Sequence, residues 1–140
     1  MKENIRVAIT SLYGLANTYD PFVIAELLNI DIYYVDFNKK PLGHCSTMLK
    51  ETVITLDQSL KDSNQRFMVC AHELFHAINH QEYASYYSIS KNTKSKMEHE
   101  ANEFAIELLK MMYSEEFGYV AKSYKELGVY GVSEEMLEYM

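Results

Sequence analysis

From Asp62 to about Gln81, Phe67, Cys70, Ala71, Leu74, Ala77 and Ile78 recur at helical spacing on one stripe, while His72, Glu73, His76 and His80 fall on the opposite face. A helix divided in this way buries one side against a core and leaves imidazoles and a carboxylate accessible on the other. Asp62 and Gln65 are spaced as a capping box and set its expected start. Within the segment, His72-Glu73-Leu74-Phe75-His76 reads HExxH. Residues four apart lie one turn above each other, so both imidazoles can reach one metal ion at about 2.0–2.1 Å from each nitrogen. Glu73 lies about 100° round the helix from His72, at the edge of the same face, where its carboxylate can act on a water beside the metal without ligating the metal. Chance alone produces the motif in roughly one in fifty shuffled chains of this composition, so the helical context and a third ligand decide its weight.

A catalytic zinc takes three protein ligands and keeps one position open, so a third donor is expected downstream on a facing element. The next helix, expected from Lys94 to about Tyr113, has its own apolar stripe of Ala101, Phe104, Ala105, Leu108 and Met112. It opens with Glu98-His99-Glu100-Ala101-Asn102. Glu98 and Asn102 are four apart and share a side, where Glu98 can bind metal while Asn102 hydrogen-bonds a ligating imidazole from behind. Glu100 is the alternative third ligand, and a solvated acidic face is the bland reading for whichever does not ligate. For oxyanion stabilisation the candidates by proximity in sequence are Tyr83, Tyr86, Tyr87, His80 and His99.

The remaining segments frame this pair of helices. Ile5, Ile9, Leu12, Ala16 and Tyr19 recur at helical spacing and predict a first helix rather than an export signal, which Lys2, Arg6 and the apolar run after them would otherwise imitate. Asp20-Pro21 is a helix start, with Asn29 the expected end. Three strands are expected: Ile30 to Phe37, His44 to Leu49 and Thr52 to Leu56, the last two joined at Lys50-Glu51. Either of those two can form the rim of a cleft and bind an extended peptide along its edge. Residues 82–95 read as a Tyr-rich loop. Ser114-Glu115-Glu116 reads as the cap of a further helix to about Leu127, ended by Gly128, with Ser133 capping a last short turn. Together these make an α+β fold, a small three-stranded mixed sheet packed on helices. At 140 residues a single domain over 1–140 is expected, since two modules of about 70 residues would each have a marginal core.

Charge and cysteine usage narrow the function classes. The chain has 20 acidic against 13 basic residues, net −7, and the whole excess lies beyond Met97. Phosphate-backbone binding would be repulsive over that third, so no direct nucleic-acid ligand is expected. Cys45 and Cys70 have no CxxC spacing and read as small buried hydrophobes in a reducing compartment, and no apolar run approaches a membrane span; a cytoplasmic location is expected. His44 has no partner at metal spacing.

Three separated blocks carry a family resemblance. Asp20-Pro21-Phe22 with Ile24-Ala25-Glu26-Leu27-Leu28, then Arg66-Phe67 before the HExxH, then Glu98-x-Glu100-Ala101-Asn102-x-Phe104-Ala105-x-x-Leu108-Leu109, resemble the ImmA/IrrE family of zinc metallopeptidases over about residues 20 to 110. The resemblance implies a gluzincin-like core with His72, His76 and Glu98 as zinc ligands and Glu73 as general base. Family members commonly have Gly where Phe75 stands and Pro where Lys110 stands; neither difference touches a ligand. It further implies an endopeptidase that cleaves a helix-turn-helix repressor of a prophage or mobile genetic element. The competing expectation is a metal-stabilised anti-repressor that sequesters its partner without proteolysis.

Overall fold

The structure, a computed structural model, describes residues 2–83 and 91–140, with the side chains of all but 80–83 and 91–93. The chain runs α1 (Glu3–Ala16), α2 (Pro21–Leu27), β1 (Asp31–Val35), β2 (Gly43–Met48), β3 (Glu51–Asp57), α3 (Gln65–Tyr83) and α4 (Lys91–Phe117), with short 3-10 turns at Gln58–Leu60, Glu126–Tyr130 and Glu134–Tyr139. Asp20 caps α2 as expected, its Oδ1 accepting from Phe22 N at 2.9 Å with Pro21 at the first helical position.

The sheet order is β1-β3-β2, with β3 parallel to β1 and antiparallel to β2, which makes the expected three-stranded mixed sheet. Ile54 and Leu56 are fully buried on β3, and Cys45, Ile32 and Tyr34 stand level with them on the neighbouring strands. This face packs on α3, and α4 covers α3 from another side. The position explains why α3 buries Met68 and Phe75 besides the expected Cys70, Ala71 and Leu74, since a helix packed against both a sheet and a helix hides more than one stripe. Phe75 packs on Phe104 of α4, ring centroids 5.4 Å apart. Among the described residues no helix is long and apolar enough to cross a membrane.

Several expected boundaries move. The helix expected from Asp62 starts at Gln65, where Ser63 Oγ accepts from Gln65 N at 3.1 Å, so Asp62 is not the cap. The hairpin turns at Leu49 and Lys50, with φ of 54° and 68°, one residue before the expected Lys50-Glu51. Residues 82–83 belong to α3 and 91–95 to α4, so the expected loop contracts from both sides, and its centre lies outside the described residues. The helix expected from Ser114 is not formed: α4 continues through Ser114 to Phe117 and stops at Gly118, φ 81°. Glu115 and Glu116 look like first-turn acids but serve tertiary partners, accepting from the hydroxyls of Tyr13 and Tyr130. Ser133 precedes the last turn without capping it through its side chain.

Two features fix the entrance to β2 and the start of α3. Asp57, at the end of β3, accepts from Phe37 N at 2.8 Å, Lys39 N at 3.2 Å and Ser59 N at 3.0 Å, and from Ser59 Oγ. It thereby holds the turn that leads to Leu42 and Gly43. Gly131, φ 80°, crosses the first residue of α3 so closely that a β-carbon there would lie 2.2 Å from Gln65 Cα, so no other residue fits.

The Asp57 hydrogen bonds, chiefly that from the Ser59 hydroxyl, bring its pKa from the ordinary 3.8 to about 2 against the opposing effect of burial. A carboxylate depressed on folding adds stability above its unfolded pKa and loses it as pH falls through its folded one. Urea denaturation of wild type and Asp57→Asn is therefore expected to differ most above about pH 4, with the gap closing towards about pH 2. A gap independent of pH would show that the ionised carboxylate does not hold this turn.

Candidate metal and catalytic site

His72 and His76 stand one turn apart on α3 with their Nε2 atoms 3.3 Å apart. Glu98, from α4, spans the pair: Oε2 lies 3.0 Å from His72 Nε2 and Oε1 lies 2.8 Å from His76 Nε2. One donor atom from each of the three residues falls within 4.8 Å of the others. One turn further along α4, Asn102 Oδ1 lies 2.8 Å from His72 Nδ1. The same four-residue spacing on two facing helices thus brings all four side chains together.

The donor chemistry can be read from the hydrogen bonds. Asn102 donates through Nδ2 to the Tyr139 hydroxyl at 3.2 Å, so its Oδ1 is the atom turned to His72 and His72 Nδ1 is the donor. A neutral His72 then presents the Nε2 lone pair to Glu98 Oε2, and two acceptors 3.0 Å apart require a proton or a cation between them. A proton meets that need in part. Burial works against charge on His72, but the hydrogen bond it donates to Glu98 and the charges of Glu73 and Glu98 outweigh it and raise its pKa above 6.5. Glu98 is held well below the usual carboxylate range by its hydrogen bonds to His72 and His76. A divalent cation would satisfy all three donors at once, and two imidazoles with one carboxylate are a set that suits zinc. His76 Nδ1 is buried without a hydrogen-bond partner among the described residues.

Glu73 is buried at 8% exposure, and its pKa is raised above 4.5 by burial, opposed by the charges of His72 and His76. Against it lies Gly43, the first residue of β2: a β-carbon there would sit 3.4 Å from Glu73 Oε2, 3.1 Å from Glu73 Cγ and 2.5 Å from Val69 Cγ1. Only a glycine lets the strand pass this close. Because β3 is central and paired on both sides, β2 is the strand of the hairpin whose outer edge is unpaired among the described residues, and that edge begins beside Glu73. A cavity of about 270 Å³ adjoins His72 and Glu73, walled by Leu42, Val69, Met68 and Met136. A larger depression of about 960 Å³, near Phe22, Ile30 and Ile78, is lined by none of the four clustered side chains.

Among the described candidates, Glu100 and His99 stand outside the cluster of His72, His76 and Glu98. Glu100 is buried on α4, with Asn4 Nδ2 of α1 at 3.5 Å from its Oε2. His99 is exposed, its Nε2 3.5 Å from Glu103 Oε1 and its Nδ1 3.2 Å from the Tyr139 hydroxyl. The side chains of His80, Tyr83, Tyr86 and Tyr87 fall outside the described residues. Cys45 and Cys70 are unpaired, half-buried and buried respectively, and burial pushes the Cys45 thiol up to about 12. Gly43, Tyr139 and Met136 were not among the expected site residues. Their places depend on contacts between distant segments, and no local spacing signals them.

No solved structure matches the chain. A curated relative, "Uncharacterized immunity region protein 2" of Bacillus phage phi105, is 29% identical over 107 residues, covering 75% of this chain and 67% of the relative. The family model of the M78 peptidases, described as the IrrE N-terminal-like domain, matches residues 25–140, which include β1 to β3, both site helices and the closing turns. The chain belongs to the M78 peptidase family.

Proposed function

We propose that the protein is a zinc-dependent endopeptidase that cleaves a helix-turn-helix repressor of a prophage or mobile genetic element and so relieves repression. The observation that carries this reading is the convergence of His72 Nε2, His76 Nε2 and a Glu98 carboxylate oxygen beside a buried Glu73. Membership of a peptidase family supports the reaction class. The phage immunity region named for the relative supports a repressor as substrate.

His72, His76 and Glu98 would hold the metal. A zinc ion held there would supply Lewis acidity toward the scissile carbonyl and would acidify the attacking water. Every other part belongs to the chain's own residues. Glu73 accepts a proton from the attacking water and returns it to the leaving amine as the C–N bond breaks, and its raised pKa brings it closer to the working pH of such a base. The free edge of β2 offers backbone donors and acceptors to an extended peptide, and its start at Gly43 lays the peptide next to Glu73. The cavity walled by Leu42, Val69 and Met136 takes one apolar side chain of that peptide.

The test incubates the zinc-loaded protein with purified helix-turn-helix repressors, beginning with any encoded near its gene, and reads intact masses. Two fragments whose masses sum to the repressor plus one water are expected with zinc, and none after chelation. A repressor that stays full length in both while its DNA is released would overturn proteolysis in favour of sequestration.

A further inference from the structure

We propose that Tyr139 is a positioning residue for the metal centre, setting the donor state of His72 through Asn102; the inference rests on the reading of His72, His76 and Glu98 as metal ligands. The reason lies in an ambiguity that Asn102 cannot resolve alone. Its side-chain amide fits the same space in two orientations, one turning the oxygen to His72 and the other the NH₂ group. With the oxygen facing it, His72 carries its proton on Nδ1 and leaves Nε2 free to bind metal. With the NH₂ group facing it, His72 must accept at Nδ1, its proton moves to Nε2, and the metal-binding lone pair is lost.

A line of hydrogen bonds running away from the site selects the productive orientation. At the outer end of this line Glu103 Oε1 lies 3.5 Å from His99 Nε2, an ion-pair contact whose negative charge draws the proton of the neutral ring to that nitrogen. His99 Nδ1 is then an acceptor, and it lies 3.2 Å from the Tyr139 hydroxyl, which donates to it. Having given its proton to His99, the Tyr139 oxygen can only accept, and it does so from Asn102 Nδ2 at 3.2 Å. Asn102 Oδ1 is left to accept from His72 Nδ1 at 2.8 Å. With the His99 ring neutral, the negative charge of Glu103 thus favours this direction for each hydrogen bond in the line, as far as His72 Nδ1. Tyr139 is the residue whose hydroxyl both gives and takes in this line. Its position is secured by the Tyr139 ring resting 4.9 Å from the His99 ring and by Lys110 Nζ donating to the carbonyl of Met140 at 3.0 Å. The closing turn Glu134–Tyr139 is therefore part of the site and not merely a cover for α4.

Tyr139→Phe keeps the ring and removes the hydroxyl. Zinc affinity, measured by competition with a chromogenic chelator, is expected to fall about tenfold, at the lower end of the range for partners that orient metal ligands. The visible absorption of the Co²⁺-substituted protein is expected to shift, while the metal-free melting temperature stays at the wild-type value. Asn102→Ala should weaken zinc at least as much, and adding Tyr139→Phe to it should cost nothing further, because both act through one imidazole. His99→Ala, which removes the acceptor for the hydroxyl proton, should weaken zinc in the same direction. Wild-type affinity and an unchanged cobalt spectrum in Tyr139→Phe would overturn the proposal, as would losses from Tyr139→Phe and Asn102→Ala that simply add. If wild-type protein takes up no zinc, the metal centre itself is wrong and this role falls with it. If wild type loads one zinc and Tyr139→Phe matches it, only the positioning role fails.

Discussion

Glu73→Gln is expected to lower kcat/KM for repressor cleavage about a thousandfold, equivalent to about 4 kcal/mol of transition-state stabilisation, while zinc content stays at the wild-type level. The size follows from the loss of a general base, since glutamine has the shape of the carboxylate but cannot accept the proton of the attacking water. The structure makes the variant a clean one. Glu73 lies against Gly43, where the lack of a β-carbon leaves room for its side chain, and glutamine fills the same volume. The hydrogen bonds of His72 and of His76 Nε2 run to Asn102, to Glu98 and between the two rings, so the three metal donors keep their partners when Glu73 is changed. Single-turnover cleavage by the zinc-loaded variant, with zinc content measured on the same sample, checks both halves. Undiminished cleavage would remove Glu73 from the mechanism. Lost cleavage together with lost zinc would instead assign it to the metal centre.

What the sequence discloses of this molecule is whatever depends on neighbours within about one helical turn. The division of α3 into an apolar stripe and a polar face is a matter of spacing, and Cys70, Ala71 and Leu74 are buried accordingly. The Asp20-Pro21 start is likewise local, needing only the Phe22 amide two residues on. That Glu98 and Asn102 share a side of α4 is also spacing. That this side meets His72 is not, because Glu98 and Glu100 stand about 200° apart on a helix and the packing of α4 on α3 decides which one faces the imidazoles. The end of α4 misleads for a similar reason. Ser114-Glu115-Glu116 has the composition of a cap, but Tyr13 and Tyr130, 102 and 14 residues away, take up the two glutamates and the helix runs on. The hairpin turn hides differently, since Leu49 and Lys50 adopt left-handed backbone without the glycine or asparagine that usually announces it. Gly43 and Tyr139 lie furthest from any sequence signal. Each matters through one contact made across the fold, Gly43 with Glu73 and Tyr139 with an asparagine 37 residues before it.

Removing one ligand at a time should separate a metal centre from a mere cluster of hydrogen-bonded side chains. Wild-type protein, stripped of metal and reloaded, is expected to hold one zinc per chain. His76→Ala should hold none after dialysis, and Glu98→Ala should bind with reduced affinity, because its two imidazoles remain one turn apart on α3. Folding reports the same event independently. A ligand bound to the native state at about one hundred times its Kd stabilises by about 2.7 kcal/mol. For a domain near this size that corresponds to a rise in Tm of about 5–10 °C. Wild type should show that rise on zinc addition and His76→Ala should show none. Without zinc, the comparison acquires a second use. The metal-free cluster contains a close His76–Glu98 pair at 2.8 Å, so His76→Ala also removes a partner from a half-exposed carboxylate. If that hydrogen bond were the purpose of the cluster, His76→Ala would lower Tm to the same degree with and without zinc. If metal binding is its purpose, the two proteins melt close together when metal-free and separate only when zinc is present. Equal zinc content in wild type and His76→Ala would place any metal away from α3, and with it any hydrolysis that Glu73 could assist.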